Sequence, residues 1–414
     1  MPAASDRLET ALERLRPIFD AIAVDAYTRE QDHRLLREQV RQLVDAGFAA
    51  LRVPIDRGGS GLSIPELARV LTELAAADSN LPQIFRGHIA FVEDQLTSPD
   101  SPERNTWLDR FVAGEVVGNA WSEVGSGTVG TSQTTVTRAT DGFVVNGSKY
   151  YTTGSIYADW TDVTATDAET GDAVTALVRI DQPGVTVRDD WNGFGQQLTG
   201  TGTIIFENAR IEPSEVRLFA SRFRYQTALY QLVLLTVLAG VASSIETDAA
   251  TQITARKRTY SHANADLVRH DAQILGVAGE LSAIAFSADA TVQHVAEVVQ
   301  RAFETAAKRD SDEDRAANVA AEIASAQGQV VLSKLVPEAA TKVFDTLGAS
   351  GVSRDVGLDR HWRNARTVVS HNPWIYKARI VGDWSVNGTE PTYVWNIGVA
   401  ARESAASQAS ASSV

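Results

Sequence analysis

Residues 134–154, TTVTRATDGFVVNGSKYYTTG, alternate β-branched and aromatic residues with small polar ones. The pairs Asp141-Gly142 and Asn146-Gly147 read as tight turns between short strands. A second run of the same texture, DAVTALVRIDQPGVTVRDDW, occupies residues 172–191. Together they predict a mostly antiparallel β domain over residues 116–215.

The flanks have a different period. Residues 1–115 carry helical spacings, as in Leu8, Leu12, Leu15 and Val40, Leu43, Val44. A glycine-rich turn, Val53-Pro54-Ile55-Asp56-Arg57-Gly58-Gly59-Ser60-Gly61, interrupts them, and Ser63 with Pro65 and Glu66 predicts a helix start. Residues 216–400 hold long helical patterns over Tyr230–Thr254, Asp271–Thr305 and Asp314–Leu347, the lengths of an antiparallel bundle. The small, polar tail 401–414 predicts disorder. Helices, then a β domain, then a helical bundle make an α+β multidomain protein.

Composition excludes several chemistries. The 414 residues contain no cysteine, so disulfides, thiolate nucleophiles and thiolate metal sites are absent. A net charge of −14 argues against a nucleic-acid partner, which needs a basic stripe. No uninterrupted apolar run reaches the roughly 18 residues that span a bilayer. The N-terminus lacks the basic-then-apolar pattern of a secretion signal, so no membrane and a cytoplasmic location are expected. Only six of the 38 basic residues are lysines, which points to a GC-rich genome; the acidity also suits a salty cytoplasm. No spacing of histidines and acids suggests a metal, and Gly125-Ser126-Gly127 and Gly200-Thr201-Gly202 lack a strand–loop–helix setting for a phosphate loop.

From about residue 30 to 390 the chain resembles the acyl-CoA dehydrogenase superfamily. The resemblance rests on residues 54–63 (PIDRGGSGLS), 119–123 (NAWSE), 146–154 (NGSKYYTTG), 191–196 (WNGFGQ), 199–203 (TGTGT) and 363–366 (RNAR), taken in order. It implies an N-terminal helical domain, a central β-barrel-like domain and a C-terminal four-helix bundle. The stretches WNGFGQQLTGTGTIIFENARI and DRHWRNARTVVSHNPWIYK are similar to the flavin-dependent monooxygenases of that superfamily, such as dibenzothiophene and sulfone monooxygenases and nitrososynthases. Those enzymes take reduced FMN from a separate reductase and oxygenate small molecules through a C4a-hydroperoxyflavin.

A dehydrogenase of this superfamily needs a carboxylate to remove the proton alpha to a thioester. Six residues beyond Arg366, where the common short-chain branch places it, stands Asn372. The alternative position, on the helix around 225–235, has no Asp or Glu. The resemblance therefore favours oxygen activation, with an FAD-dependent acyl-CoA dehydrogenase or oxidase having an atypical base, or a non-catalytic member of the fold, as rivals.

His371 is the first candidate for the proton donor beside the flavin, against a structural histidine before the Asn-Pro turn. His88 is a second, against a satisfied core histidine. Thr153 aligns with a hydroxyl that reaches flavin N5, although β propensity explains a threonine equally. Ser122 and Asn119 match positions at the flavin's pyrimidine edge, and Trp191 stacks near the ring or fills the core. Arg256 or Arg258 matches a phosphate-gripping arginine, against a solvated charge run. Asp345 stands where FAD-binding relatives use glutamine before the Gly348-Ala349-Ser350-Gly351 loop, which favours FMN; the loop also reads as a helix cap. A homotetramer is the superfamily's usual state. The substrate itself is not legible.

Overall fold

The computed structural model describes residues 4–123 and 133–392. The tail at 401–414 and the Gly125-Ser126-Gly127 triplet lie outside them. Seven helices come first: α1 (Ala4–Val24), α2 (Ala26–Gln31), α3 (Arg37–Asp45), α4 (Ile64–Ala77), α5 (Leu81–Ile84), α6 (Arg86–Thr97) and α7 (Pro102–Val112). The start of α4 is built as its sequence predicts. Ser63 caps it, with its hydroxyl accepting from the Glu66 amide at 3.4 Å while Glu66 Oε2 accepts from the Ser63 amide at 2.6 Å.

The middle region forms one mixed sheet. Its strands are β1 (Val117–Ala120), β2 (Thr135–Ala139), β3 (Gly142–Lys149), β4 (Trp160–Asp167), β5 (Ala173–Arg179), β6 (Val185–Val187), β7 (Ile204–Ile211) and β8 (Val216–Leu218). The order is β6-β7-β3-β2-β4-β5-β8, with β1 parallel beside β4. Among the described residues this is an open path, with no pairing between β6 and β8. Asp141-Gly142 closes the β2–β3 hairpin, as expected. Asn146-Gly147 does not turn the chain. It lies within β3 as a bulge, where the register against β7 shifts between Val145 and Gly147.

The C-terminal region holds α8 (Gln226–Ala255), α9 (Ala272–Thr305), α10 (Asp312–Lys342), α11 (Asp359–His371) and α12 (Trp374–Asn387). The first three pack on one another, α11 joins them as the fourth helix of the bundle, and α12 lies along α10. Among the described residues α8 and α9 are long and apolar enough to cross a membrane by length and composition. In α8 that apolar stretch is 83% buried by the bundle and by α4; in α9 only 22% is buried.

The N-terminal helices and the C-terminal bundle are tied by buried polar bonds. Arg52 grips Glu93 of α6 through Nε and Nη2 at 3.0 and 2.9 Å, and the Tyr225 hydroxyl, at the head of α8, donates to the same carboxylate at 2.8 Å. Such a bidentate pair fixes α6 in angle as well as position. Almost every residue of α6 from Arg86 to Gln95 is buried, so its first turn has one available orientation.

Candidate active site

Close backbone approaches assemble the site. Gly87, in the first turn of α6, lies against Asn119 of β1, and a Cβ there would sit 3.0 Å from the asparagine side chain. Gly154 has φ +83, and a Cβ would fall 2.2 Å from the Ile84 carbonyl. The Ser155 hydroxyl then donates to the Asn119 carbonyl at 3.3 Å. These contacts clamp α5 and the head of α6 between β1 and the end of the 134–154 segment.

Arg86 is thereby aimed at the bundle. Its guanidinium lies over the Tyr230 ring of α8, 4.8 Å from the centroid, and Nη2 donates to His371 Nε2 at 3.1 Å. Because Nε2 receives that proton, the imidazole proton resides on Nδ1. His371 is solvent-accessible although protein surrounds its ring. That burial, and then the Arg86 charge, push its pKa down, opposed by a hydrogen bond with the Asn372 side chain. The ring is neutral at physiological pH.

Trp121 packs edge-on to Tyr230 at 5.4 Å and to Phe219 at 5.6 Å. Its indole Nε1 donates to Asp162 Oδ2 at 3.3 Å, which also accepts from Arg222 Nη1 at 2.9 Å. Burial pushes the Asp162 carboxyl up, against the pull of Arg222. Several buried polar atoms here have no partner in the protein: Arg86 Nε, Asn119 Oδ1, Asp162 Oδ1, Arg222 Nη2 and the Tyr230 hydroxyl. Orphaned atoms so close together mark a place where a polar guest completes the bonding.

The other expected residues fall into three groups. Thr153 is buried, and its hydroxyl runs into a chain with Thr201 and Thr199, at 2.8 Å each. Ser122 bridges to Tyr150, whose amide donates to the Ser122 carbonyl at 2.9 Å, beside a cavity of about 390 Å³ lined by Glu123, Lys149 and Thr203. Trp191 meets Tyr151 at 6.0 Å and donates to the Gly195 carbonyl at 3.1 Å. Its loop is clamped onto α11 by Asn364, which accepts from the Gln196 amide at 2.6 Å.

His88 is placed otherwise. Nε2–H donates to the Ala49 carbonyl at 2.8 Å, and Nδ1 accepts from the Val117 amide at 3.3 Å. Both nitrogens are spent on backbone, and Phe85 and Phe111 pack on the ring. The geometry is that of the core histidine weighed as its alternative. Arg256 and Arg258 lie beyond the far end of α8, about 38 Å of helix from Tyr230. Arg256 donates to the Leu347 carbonyl and lies over Tyr260, so one chain does not bring it to His371. A separate cleft of about 990 Å³, lined by Phe19, Phe286, Asp248 and His361 among others, shares no residue with the Arg86–His371 cluster.

Three family models match successive parts of the chain: the acyl-CoA dehydrogenase N-terminal domain over 10–115, the middle domain over 118–209 and the C-terminal domain over 232–374. The chain belongs to the acyl-CoA dehydrogenase family. Within it, the chain is 27% identical over 373 residues to dibenzothiophene monooxygenase of Rhodococcus erythropolis, covering 86% of this chain and 87% of that one. It is 23% identical over 389 residues to the probable FMNH2-dependent monooxygenase SfnC of Pseudomonas putida, covering 92% and 96%. The crystal structure of FMN-bound TdsC from Paenibacillus sp. A11-2 superposes with a TM-score of 0.84 at 27% identity, over 93% of this chain and 99% of that one. The family and the kind of relative agree with what the sequence implied.

Against this family frame, the place of a dehydrogenase base is informative. Asn372 donates through Nδ2 to Gln231 Oε1 at 3.0 Å, and its carbonyl accepts from Gln329 Nε2 at 2.9 Å. The amide is a joint between α8, α10 and the end of α11, with no proton-accepting carboxylate in its place. Arg86, Tyr230 and the Asp162–Arg222 pair were missed by sequence reasoning. The one signal for Arg86 was a cation opening an otherwise apolar run, Arg86-Gly87-His88-Ile89-Ala90-Phe91-Val92.

Proposed function

We propose that this chain is a two-component flavin-dependent monooxygenase that takes reduced FMN from a separate reductase in the cytoplasm. The observation carrying this reading is Asn372, an amide bonded into the helices where a dehydrogenase would keep a base. The protein's polar atoms suit a flavin. Asn119 Oδ1 is a buried acceptor without a donor, matching the N–H of a flavin pyrimidine edge, and Ser122 and Thr153 lie on the same, sheet side. When bound, the reduced flavin would supply two electrons and activate O2 through the C4a-hydroperoxyflavin typical of such relatives; one oxygen atom goes to the substrate and the other leaves as water.

The chain's own residues would do the rest. His371 presents a neutral imidazole whose proton sits at Nδ1, held in that tautomer by Arg86, and would act as a hydrogen-bond donor at the oxygen in exchange for the Asn372 side chain. Trp121 and Tyr230 line the site with aromatic surface and limit water. His88 would position α6 and β1 rather than move a proton. Arg256 and the 347–351 loop, joined through Leu347, would serve the flavin phosphate of a second copy in a homotetramer.

Anaerobic titration with reduced and oxidised FMN tests the reading. Tighter binding of the reduced form supports it. Tightly held oxidised FAD that is bleached by an acyl-CoA would replace it with a dehydrogenase.

A further inference from the structure

Four arginines are buried among the described residues: Arg29, Arg52, Arg86 and Arg222. Three of them meet a carboxylate. Arg29 pairs with Asp25 and Asp78, Arg52 with Glu93, and Arg222 with Asp162. Among the described residues Arg86 forms no ion pair, and its Nε–H has no acceptor. Its guanidinium meets a neutral imidazole and a phenol ring. Burial accordingly pushes the Arg86 pKa down.

An unpaired cation taken out of water is strongly unfavourable, and a fold retains one where a ligand supplies the opposite charge. Arg86 is 8% exposed and points toward His371, which is itself solvent-accessible. The planar fork, with Nε free, suits two oxygens of one group better than an ammonium would. Asn119, Ser122 and Thr153 occupy the sheet side, and Arg86, Tyr230 and His371 the helical side, which leaves the helical side to the substrate. We infer that the substrate carries an anionic oxygen group, a carboxylate or sulfinate, bound by Arg86, with an aromatic body against Trp121 and Tyr230. This rests on the oxygenase reading and adds to it the class of substrate and the residue that selects it. The anion then lies beside His371, which places a small substrate near that hydrogen-bond donor.

The probes are benzoate and benzenesulfinate, against the neutral benzamide and methyl phenyl sulfone. Each is titrated calorimetrically and anaerobically into protein saturated with reduced FMN. The anions should bind on the order of tenfold more tightly than their neutral partners, the scale of one charge-assisted bidentate contact. Arg86→Gln should abolish that preference and leave reduced-FMN affinity within about twofold. Arg86→Met should resist urea at least as well as the parent, because it removes an uncompensated charge. No anion preference in the parent overturns the inference, and so does an Arg86→Gln protein that keeps the preference. Loss of reduced-FMN affinity in Arg86→Gln assigns the guanidinium to the flavin instead, and an Arg86→Met protein that collapses assigns it to the fold. Failure of the parent to take up reduced FMN sinks the oxygenase reading itself, a result distinct from a flavin-bound protein indifferent to charge.

Discussion

Replacing His88 by Ala separates a structural histidine from a chemical one. The change would leave the Ala49 carbonyl and the Val117 amide buried without partners. Each such group costs about 1–3 kcal/mol. The edge contacts to Phe85 and Phe111, at 6.3 and 5.3 Å between centroids, add roughly 0.5–1.5 kcal/mol each. A loss of about 3 kcal/mol or more is therefore expected, a large share of a typical net stability of roughly 5–15 kcal/mol. There is a pH signature as well. Burial holds the His88 pKa down, from 6.5 to about 4, with the Ala49 bond opposing. A depressed folded pKa means that the unfolded chain takes up a proton first. Stability is full above pH 6.5 and falls as pH drops toward 4, by about 3 kcal/mol for a shift of that size. His88→Gln, which retains an amide donor and acceptor, should flatten that slope. Equilibrium urea unfolding at pH 7 and pH 4.5, followed by tryptophan fluorescence, measures both effects. A His88→Ala protein of parental stability that consumes oxygen and makes peroxide in place of product would refute the reasoning.

Three further outcomes follow from the same geometry. His371→Ala leaves the buried Arg86 guanidinium without its acceptor and should cost roughly 1–3 kcal/mol of urea stability while diverting oxygen uptake to hydrogen peroxide, which a peroxide assay run beside product analysis detects; unchanged product yield removes His371 from the chemistry. Asn372→Asp should create no acyl-CoA dehydrogenase activity, because the side chain is turned to Gln231, and should cost roughly 1–3 kcal/mol by placing a charge in that joint; dye reduction by butyryl-CoA would contradict this. Gly154→Ala combines φ +83 with a Cβ 2.2 Å from a carbonyl, so α5 must move, and the variant should lose reduced-FMN binding well before it loses helix content by circular dichroism.

The fold was legible because each region carried its own period. The capping box at Ser63 and the hairpin at Asp141-Gly142 are local chemistry and formed where they were read. Asn146-Gly147 misled because the same dipeptide serves a turn or a bulge. The strand continued on both sides of it to pair with β7, which only tertiary context supplies. The site was less legible. His371 was named from its neighbours in sequence, but the cation that sets its tautomer lies 285 positions away in the chain. Arg86 and Asp162 acquire their meaning from burial and from which partners are missing, and neither quantity is written in a sequence. His88 sits two residues from Arg86, and its expected role shifted to its neighbour once the Ala49 and Val117 contacts were visible.

The most direct test mixes the anaerobic protein–reduced FMN complex with oxygenated buffer in a stopped-flow spectrometer. Oxygen activation by this chain predicts that an oxygen adduct of the bound flavin persists long enough to be seen before oxidised FMN appears, and that it decays faster in Arg86→Gln and His371→Ala. Reoxidation at the rate of free reduced FMN, with no intervening species, would contradict it.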